Sequence, residues 1–438
     1  MSKGINEFEK RKIAFEQSFL ELDVAQRAPI ESSAPRIVVK AAPGSGKTKI
    51  LISAICLHRY NNLNDNICAI TFTRAAAAEM QERLEKYGVN NVQISTIHSW
   101  ARSRLLELSD KYGFKITVIN EDQIRAILHT VINEYIANNQ KIKHINEDIA
   151  FNYIVVSKHM DVTDNFRRIL NAIERRYTEY KRNNDIYDFN DYPLYLYNIL
   201  RAYNENITNV DALFVDEFQD VDAVQLQVLD MVAARKKFYI GDQKQSIYGF
   251  RGCDGKSFDR LVNFKMFDLD RNYRSYQEII DYASTVYAGL IEKATLEKDC
   301  FITEILYSRG AKIVCARGFG AQMYAVNPYG RVFMQGQCTL GTKLDAIFRN
   351  FMNMKPMVLC RTNKQVRETI ESGYPYAETV HQAKGLEYKN VIVIDNTINS
   401  VEDLNIAYVA MTRAEDNLLV INWPQFYSLL NKYSKNLQ

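Results

Sequence analysis

Residues 41–48 read AAPGSGKT, an [AG]xxxxGK[ST] pattern between a β-branched run, Arg36–Lys40, and a helix-like run, Lys49–Tyr60. In such a loop, backbone amides at a helix N-terminus cradle phosphates. Ala41, Ala42, Pro43, Gly44, Ser45 and Gly46 supply the cradle, and the two glycines allow close approach. Lys47 reaches the β- and γ-phosphates, and Thr48 offers a hydroxyl to Mg²⁺. Asp216 and Glu217 follow the apolar run LFV. The first can hold the metal, and the second can orient or deprotonate an attacking water. Arg274, in NYRS, and Arg413, in MTRA, stand far along the chain. An arginine at a transferring phosphoryl group can contribute ~10³–10⁵ in rate. A nucleotide site drawn from such distant segments is expected to lie between two domains.

The elements that must position these residues follow from periodicity. A helix and a turn are expected over residues 14–30, and strands at Arg36–Lys40, Ile67–Phe72, Asp211–Val215 and Lys237–Ile240. Helices are expected at Lys49–Tyr60 and from about Arg74 to Lys86. Strands alternating with helices, each strand followed by a polar loop, predict an α/β fold with a doubly wound parallel sheet. Residues 107–186 break this rhythm with polar, helical-pattern segments such as HTVINEYIANNQ and NFRRILNAIERRYTEYKR, and are expected to form an insertion. From residue 265 a second α/β unit is expected. It begins with the helix-like RSYQEIIDYASTVYAGLIEKA and continues with strands near 313–316, 357–361 and 391–395 and at Asn417–Ile421. A turn at Asn327-Pro328-Tyr329-Gly330 suggests a small hairpin. The expected division is a first domain of residues 1–106 and 187–264, an insertion of 107–186, and a second domain of 265–438.

Composition sets wide bounds. The 438 residues suffice for two or three domains with full cores. A net charge of +3 permits a basic groove for nucleic acid without demanding one. Seven cysteines form no CxxC pair, so no zinc site or iron–sulfur cluster is expected, and a reducing cytoplasm is. No apolar run approaches the ~18 residues of a spanning helix, so no membrane partner is expected.

Nine segments then stand in a recognisable order: LDVAQR (22–27), AAPGSGKT (41–48), TFTRAAAAEM (71–80), STIHSWARSRLL (95–106), VDEFQD (215–220), GDQKQSIYGFRG (241–252), LDRNYRS (269–275), VHQAKGLEY (380–388) and YVAMTRAEDNLLV (408–420). From about residue 20 to 422 the chain resembles UvrD/Rep-type superfamily 1 DNA helicases. The resemblance implies two RecA-like parallel-sheet P-loop domains with a mostly helical insertion in the first. It also implies ATP and Mg²⁺ as cofactors, and 3′→5′ translocation on single-stranded DNA with strand separation at single-strand/duplex junctions by a monomer. Gln26 would hydrogen-bond the adenine edge, Tyr273 would stack on the base, and Lys49 would lie on the adenine side. Thr48 and Asp216 would coordinate Mg²⁺, Glu217 would activate water, and Gln245 would sense the γ-phosphate. Arg274 and Arg413 would clamp that phosphate, and Glu387 would lie near the ribose. On the DNA side, Phe72, Tyr248 and Phe250 would contact bases, at ~1–3 kcal/mol of stacking per base. Arg74 would add a phosphate contact, with His98, Arg251, Arg361 and His381 along the strand path. Arg167, Arg168, Arg175, Arg176, Lys181 and Arg182 form either a solvated basic face or an extension of that path. Trp100 is expected in the core.

The chain departs from the family pattern at several positions. Phe250 stands where Trp is usual, Arg74 replaces a small polar residue, Lys49 stands where Arg is common, and Arg271 where Gln or Glu is usual. The large second insertion of longer relatives is absent between CRTNKQVRETIESGYPY (360–376) and VHQAKGLE, which predicts a pared-down motor. Two other readings remain open: a translocase or ATP-dependent DNA clamp with little unwinding unless a replication or repair protein assists, and an RNA track. A phosphate-loop kinase would have no use for GDQKQ or VHQAKGLE.

Overall fold

The protein's computed structural model describes residues 7–138, 145–156, 163–248, 253, 256–284, 293–296, 301–306, 312–315, 348–395 and 401–433. The chain divides into two compact units. The first comprises Met1–Val39, Thr48–Gly241 and Tyr248–Phe267; the second comprises Lys40–Lys47, Asp242–Ile247 and Asp268–Gln438. In chain order the strands are β1 (Arg36–Ala41), β2 (Ile67–Thr71), β3 (Val92–Thr96), β4 (Thr117–Val118), β5 (Ile186–Tyr187), β6 (Ala212–Val215), β7 (Lys236–Gly241), β8 (Lys265–Leu269), β9 (Arg271–Tyr276), β10 (Lys293–Leu296), β11 (Phe301–Leu306), β12 (Lys312–Cys315), β13 (Met357–Cys360), β14 (Ala377–Thr379), β15 (Tyr388–Asp395) and β16 (Ala414–Asn422).

Among the described residues, one sheet has the order β3-β2-β6-β7-β1-β8. Strand β2 pairs in parallel with β3 and β6, and β6 in parallel with β7. Strands β2 and β6 are buried along their whole length. Such continuous apolar runs are what a parallel sheet covered on both faces requires. Trp100 is fully buried in the core beside this sheet, in one cluster with Val38, Leu213, Val215 and Tyr239.

Where a helix followed by a turn is expected over 14–30, there are two helices, Glu7–Leu20 and Val24–Glu31. The break has a local cause. The Asp23 carboxylate accepts from Gln26 N at 2.8 Å while Gln26 Oε1 accepts from Asp23 N at 3.2 Å, a capping box that starts a new helix. The helix after the phosphate loop runs Lys47–Asn61, and Arg74–Lys86 is helical as its pattern indicates, capped by Thr73 Oγ1 on Ala76 N at 3.1 Å.

Within the first unit, the helices Glu121–Asn138, Glu147–Phe151 and Asp164–Asn183 share a separate apolar core that includes Leu128, Ile132, Phe151, Ile173 and Tyr177. The short parallel pair β4–β5 joins the start and end of this stretch, Thr117 to Ile186 and Val118 to Tyr187. Lys181 does not share the exposed face of Arg167, Arg168, Arg175 and Arg182. It is buried, and its Nζ donates to Asp188 Oδ2 at 2.8 Å and Asp191 Oδ2 at 2.6 Å. Tyr177 OH donates to the same Asp188 oxygen at 2.8 Å. Burial, then the neighbouring Asp188 charge, push the Asp191 carboxyl above its usual range, against the pull of Lys181.

In the second unit the sheet order is β12-β11-β16-β15-β13-β14. The pairs β11–β16, β15–β16, β13–β15 and β13–β14 are parallel, and β11–β12 is antiparallel. Phe348, Phe351, Ile392, Leu419 and Phe426 centre its core. The helix-like run beginning at Arg274 is divided. Residues 271–276 form β9, Gln277–Ser284 is helical, and β10 pairs in parallel with β9. Asn272 Oδ1 accepts from both Arg274 N and Ser275 N at 2.8 Å, which ties up amides that a helix would need. Only residues 372–376 connect the helix Asn363–Glu371 to β14. The turn expected at 327–330 lies outside the described residues. Among the described residues no helix is long and apolar enough to cross a membrane.

Replacing Lys181 with Met leaves two carboxylates facing each other without their cation, a loss of about 3–5 kcal/mol for a buried pair broken on one side. Asp191's raised folded pKa contributes stability fully present below its unfolded value, ~3.9, and lost as pH rises through the folded value. The Lys181→Met deficit in thermal unfolding is therefore expected to be largest near neutral pH and to shrink on acidification.

Candidate functional site

In the first unit, Asp216 N donates to Ile70 O at 2.8 Å, one step beyond the β2–β6 register, so the acidic pair stands where β6 ends. Glu217 has φ +48° and ψ +43°, left-handed values that are uncommon away from glycine. Its conformation is held on both sides. Glu217 N donates to Asp216 Oδ1 at 2.9 Å, Asp220 N donates to Glu217 O at 2.9 Å, and Gln219 Nε2 donates to Glu217 Oε2. Gly241, at the end of β7, makes room for this turn. A Cβ there would overlap Gln219 Oε1 and stand 2.8 Å from Phe218 N. Thr48 is half-buried in the first turn of its helix. Gln26 is buried with its Oε1 held in the capping box. Lys49 makes an exposed ion pair with Glu21 at 2.9 Å.

The aromatic residues proposed for bases are brought together in part. Phe72 and Tyr248 stack on one another, with centroids 4.4 Å apart and planes at 27°, and Tyr248 is only 7% exposed. Arg74 is exposed at the start of its helix. His98 lies 5.3 Å, ring to ring, from Phe189, which is 42% exposed. Phe250 and Arg251 lie outside the described residues.

The phosphate loop, Lys40–Lys47, groups with the second unit. Ala42 N donates to Leu269 O and Tyr273 N to Gly44 O, both at 2.8 Å, and Asn272 Nδ2 donates to Pro43 O at 2.7 Å. Lys47 Nζ is 3.5 Å from Ala41 O. Gly44 has φ +69°, and a Cβ on it would come within 2.6 Å of Asn272 Oδ1. The Arg271 guanidinium lies 5.4 Å from the Tyr273 ring centroid. Arg274 pairs with Glu387, and its Nη1 is 3.5 Å from Thr412 O. Arg413 is 2% exposed. Its Nε donates to Val409 O at 3.0 Å, Nη1 to Leu386 O at 3.1 Å and Nη2 to Thr412 Oγ1 at 3.4 Å. Arg274, Glu387 and Arg413 thus converge from three segments, with Arg413 bound to backbone carbonyls around the other two.

The segment Asp242–Ile247 also belongs to the second unit. Three successive carbonyls in it each accept a side chain. Lys384 Nζ donates to Gln245 O at 2.8 Å, Asn405 Nδ2 to Ser246 O at 2.7 Å, and His381 Nε2 contacts Ile247 O at 3.2 Å. Arg361 is ion-paired with Asp403 at 2.9 Å. Gln245 is 2% exposed, and its Nε2 has no hydrogen-bond partner among the described residues. A buried unpaired donor costs about 1–3 kcal/mol. A ligand oxygen such as a phosphate would satisfy it, so the residues present fit a nucleotide.

Residues 22–264 match the UvrD/REP helicase N-terminal domain, and residues 374–421 the UvrD-like helicase C-terminal domain. The chain belongs to the UvrD/Rep helicase family. It is 28% identical over 327 residues to the ATP-dependent DNA helicase Rep of Buchnera aphidicola subsp. Acyrthosiphon pisum, covering 68% of this chain and 49% of that protein. It is 26% identical over 460 residues to a probable DNA helicase of Mycoplasma pneumoniae, covering 92% of this chain and 83% of that protein. It is 31% identical over 293 residues to a probable DNA helicase II homolog of Rickettsia conorii, covering 60% of this chain and 44% of that protein. The chain thus spans about half the length of the Rep and helicase II relatives it matches.

Within this UvrD/Rep framework, sequence reasoning missed Gln219, Asn272, Phe189 and Asn405. For Phe189 a signal existed, an aromatic in the polar turn YDFND. Gln219 and Asn272 lie within VDEFQD and LDRNYRS, but their partners are not evident there; Asn272 and Asn405 bind backbone atoms of distant segments, which no motif displays.

Gly44→Ala places a Cβ against Asn272 in a left-handed conformation that costs roughly 1–2 kcal/mol for an L-residue. A lower melting temperature is expected, together with loss of any further rise when a nucleoside triphosphate is added. An unchanged thermal scan with and without nucleotide would contradict this geometry.

Proposed function

We propose that this chain is an ATP-driven motor that moves 3′→5′ on single-stranded DNA and separates strands at single-strand/duplex junctions. Residues 107–186 are read as a mostly helical insertion in a first RecA-like domain of residues 1–106 and 187–264, and residues 265–438 as a second such domain. The observation that carries this reading is the segment from Gln245 to Tyr248. A buried amide suited to a γ-phosphate lies three residues from a ring suited to bases, and each intervening carbonyl is held by a side chain of the 381–405 region. A change at one end has little slack in which to dissipate before the other.

The hydrolytic step follows from the residues. Water attacks the γ-phosphorus, and the bond to the β,γ-bridging oxygen breaks, releasing ADP and phosphate. Glu217, with one oxygen fixed by Gln219 Nε2, orients the water and accepts its proton. Lys47 and Arg274 supply positive charge to the phosphate oxygens, and Gln245 donates to the γ-phosphate. Mg²⁺ held by the Thr48 hydroxyl and the Asp216 carboxylate would neutralise charge on the β- and γ-oxygens. Phe72 and Tyr248 would exchange their mutual stack for stacking on bases. His98, Phe189, Arg74, Arg361 and His381 are assigned to the strand path.

Glu217→Gln is expected to lower DNA-stimulated phosphate release by about 10²–10⁴-fold with nucleotide binding retained; an undiminished rate would remove Glu217 from the chemistry. Phe72→Ala is expected to weaken binding of a fluorescent single-stranded oligonucleotide about 5–150-fold, the equivalent of ~1–3 kcal/mol of stacking. Strand displacement on partial duplexes tests polarity. Activity on 3′-tailed and not 5′-tailed substrates is expected, and stimulated hydrolysis without displacement on either would leave a translocase or clamp instead.

A further inference from the structure

Asn272 is fully buried, and its side-chain bonds go to the backbone of segments that carry the nucleotide chemistry. Its Nδ2 donates to Pro43 O in the phosphate loop at 2.7 Å. Its Oδ1 accepts from Arg274 N and Ser275 N, both at 2.8 Å. The adjacent Tyr273 N donates to Gly44 O at 2.8 Å, so two hydrogen bonds join β9 to two successive loop carbonyls. The contact is also steric, since the Asn272 amide occupies the space that a Cβ on Gly44 would need. Ser275 Oγ donates to Ala414 O at 2.7 Å and anchors the end of β9 beside Arg413.

We propose that Asn272 is a positioning residue that sets Arg274 relative to the phosphate loop before nucleotide arrives. Arg274's backbone amide and the loop carbonyl share one rigid planar group, so loop and arginine travel together. A cation stabilises a transferring phosphoryl group only where it is held in place at no further cost during the reaction. The Glu387 pair holds the guanidinium end of the side chain, and Asn272 holds its backbone end. This inference rests on the ATP-hydrolysing reading above and adds a residue that touches neither substrate nor metal.

The test is a double-mutant cycle on DNA-stimulated ATP hydrolysis with Asn272→Ala and Arg274→Ala. Asn272→Ala is expected to lower kcat by about 10²-fold, the scale of a small misplacement, with KM for ATP changed much less because the loop amides and Lys47 remain. Added to Arg274→Ala, the same substitution is expected to cost less than about threefold, because residues acting as a unit are not additive. Costs that multiply, or an Asn272→Ala kcat within twofold of wild type, would overturn the proposal. Asn272→Asp is the second variant. It matches the side chain in shape, keeps the acceptor for Arg274 N and Ser275 N, and loses the donor to Pro43 O. It should show the same non-additivity, and loss of folding in both variants would assign Asn272 to stability alone. A wild-type chain without ATP hydrolysis would overturn the motor reading and this inference together, whereas an active wild type with multiplicative costs overturns only the inference.

Discussion

Parallel pairing in the first sheet is the constraint on which the functional geometry depends. Strands β2, β3, β6 and β7 run the same way, so the segments that follow them leave from one edge. Phe72 follows β2, His98 follows β3, Asp216 and Glu217 follow β6, and Asp242 to Gln245 follow β7. Ligand-binding loops gather at the carboxyl edge of a parallel sheet for this reason. The buried strands allow little adjustment, and the turns absorb the strain. Glu217 takes a left-handed conformation, and Gly241 must lack a Cβ to admit Gln219.

In the second unit the dominant theme is side chains bound to backbone carbonyls. Asn272 holds Pro43, Arg413 holds Val409 and Leu386, and Lys384, Asn405 and His381 hold three consecutive carbonyls from Gln245 to Ile247. A buried polar network specifies one arrangement, because a half-satisfied version is costly. Arg413 illustrates the consequence. As a cation it fits phosphate chemistry, and two of its donors also fix backbone carbonyls, Val409 O and Leu386 O, the latter beside Glu387.

The strands legible from the sequence were the short, largely apolar runs, β1, β2, β6 and β7 in the first sheet and β12, β13, β15 and β16 in the second; in β2 and β6, burial along the whole length leaves no exposed position to interrupt the run. Strands β3 and β9 are half-buried and polar, and the three-residue β14 is too short for a pattern. Arg274 to Tyr276 read as helical because QEIIDYA follows them, while the side chain of Asn272 holds them extended. The turn expected to end the first helix within 14–30 instead starts a second helix, through a capping box whose two members, Asp23 and Gln26, sat in plain view within LDVAQR. Lys181 read as surface charge from its residue type, although the period that places Leu170, Ile173 and Tyr177 inside also reaches position 181; the partners that make its burial tolerable, Asp188 and Asp191, come from beyond the helix end.

By itself the sequence determined the candidates for the proposed chemistry: Lys47, Thr48, Asp216, Glu217, Gln245, Arg274 and Arg413, each within a short motif. Phosphate binding and hydrolysis demand particular side chains at particular loop positions, and those demands are local. Only the tertiary structure decided how the side chains are held. Gly241 leaves room for Gln219, Phe72 stacks on Tyr248, and Asn272 fills the space beside Gly44. Such contacts join residues tens to hundreds of positions apart, or side chains to backbone atoms common to every residue, and neither leaves a mark on periodicity or motif.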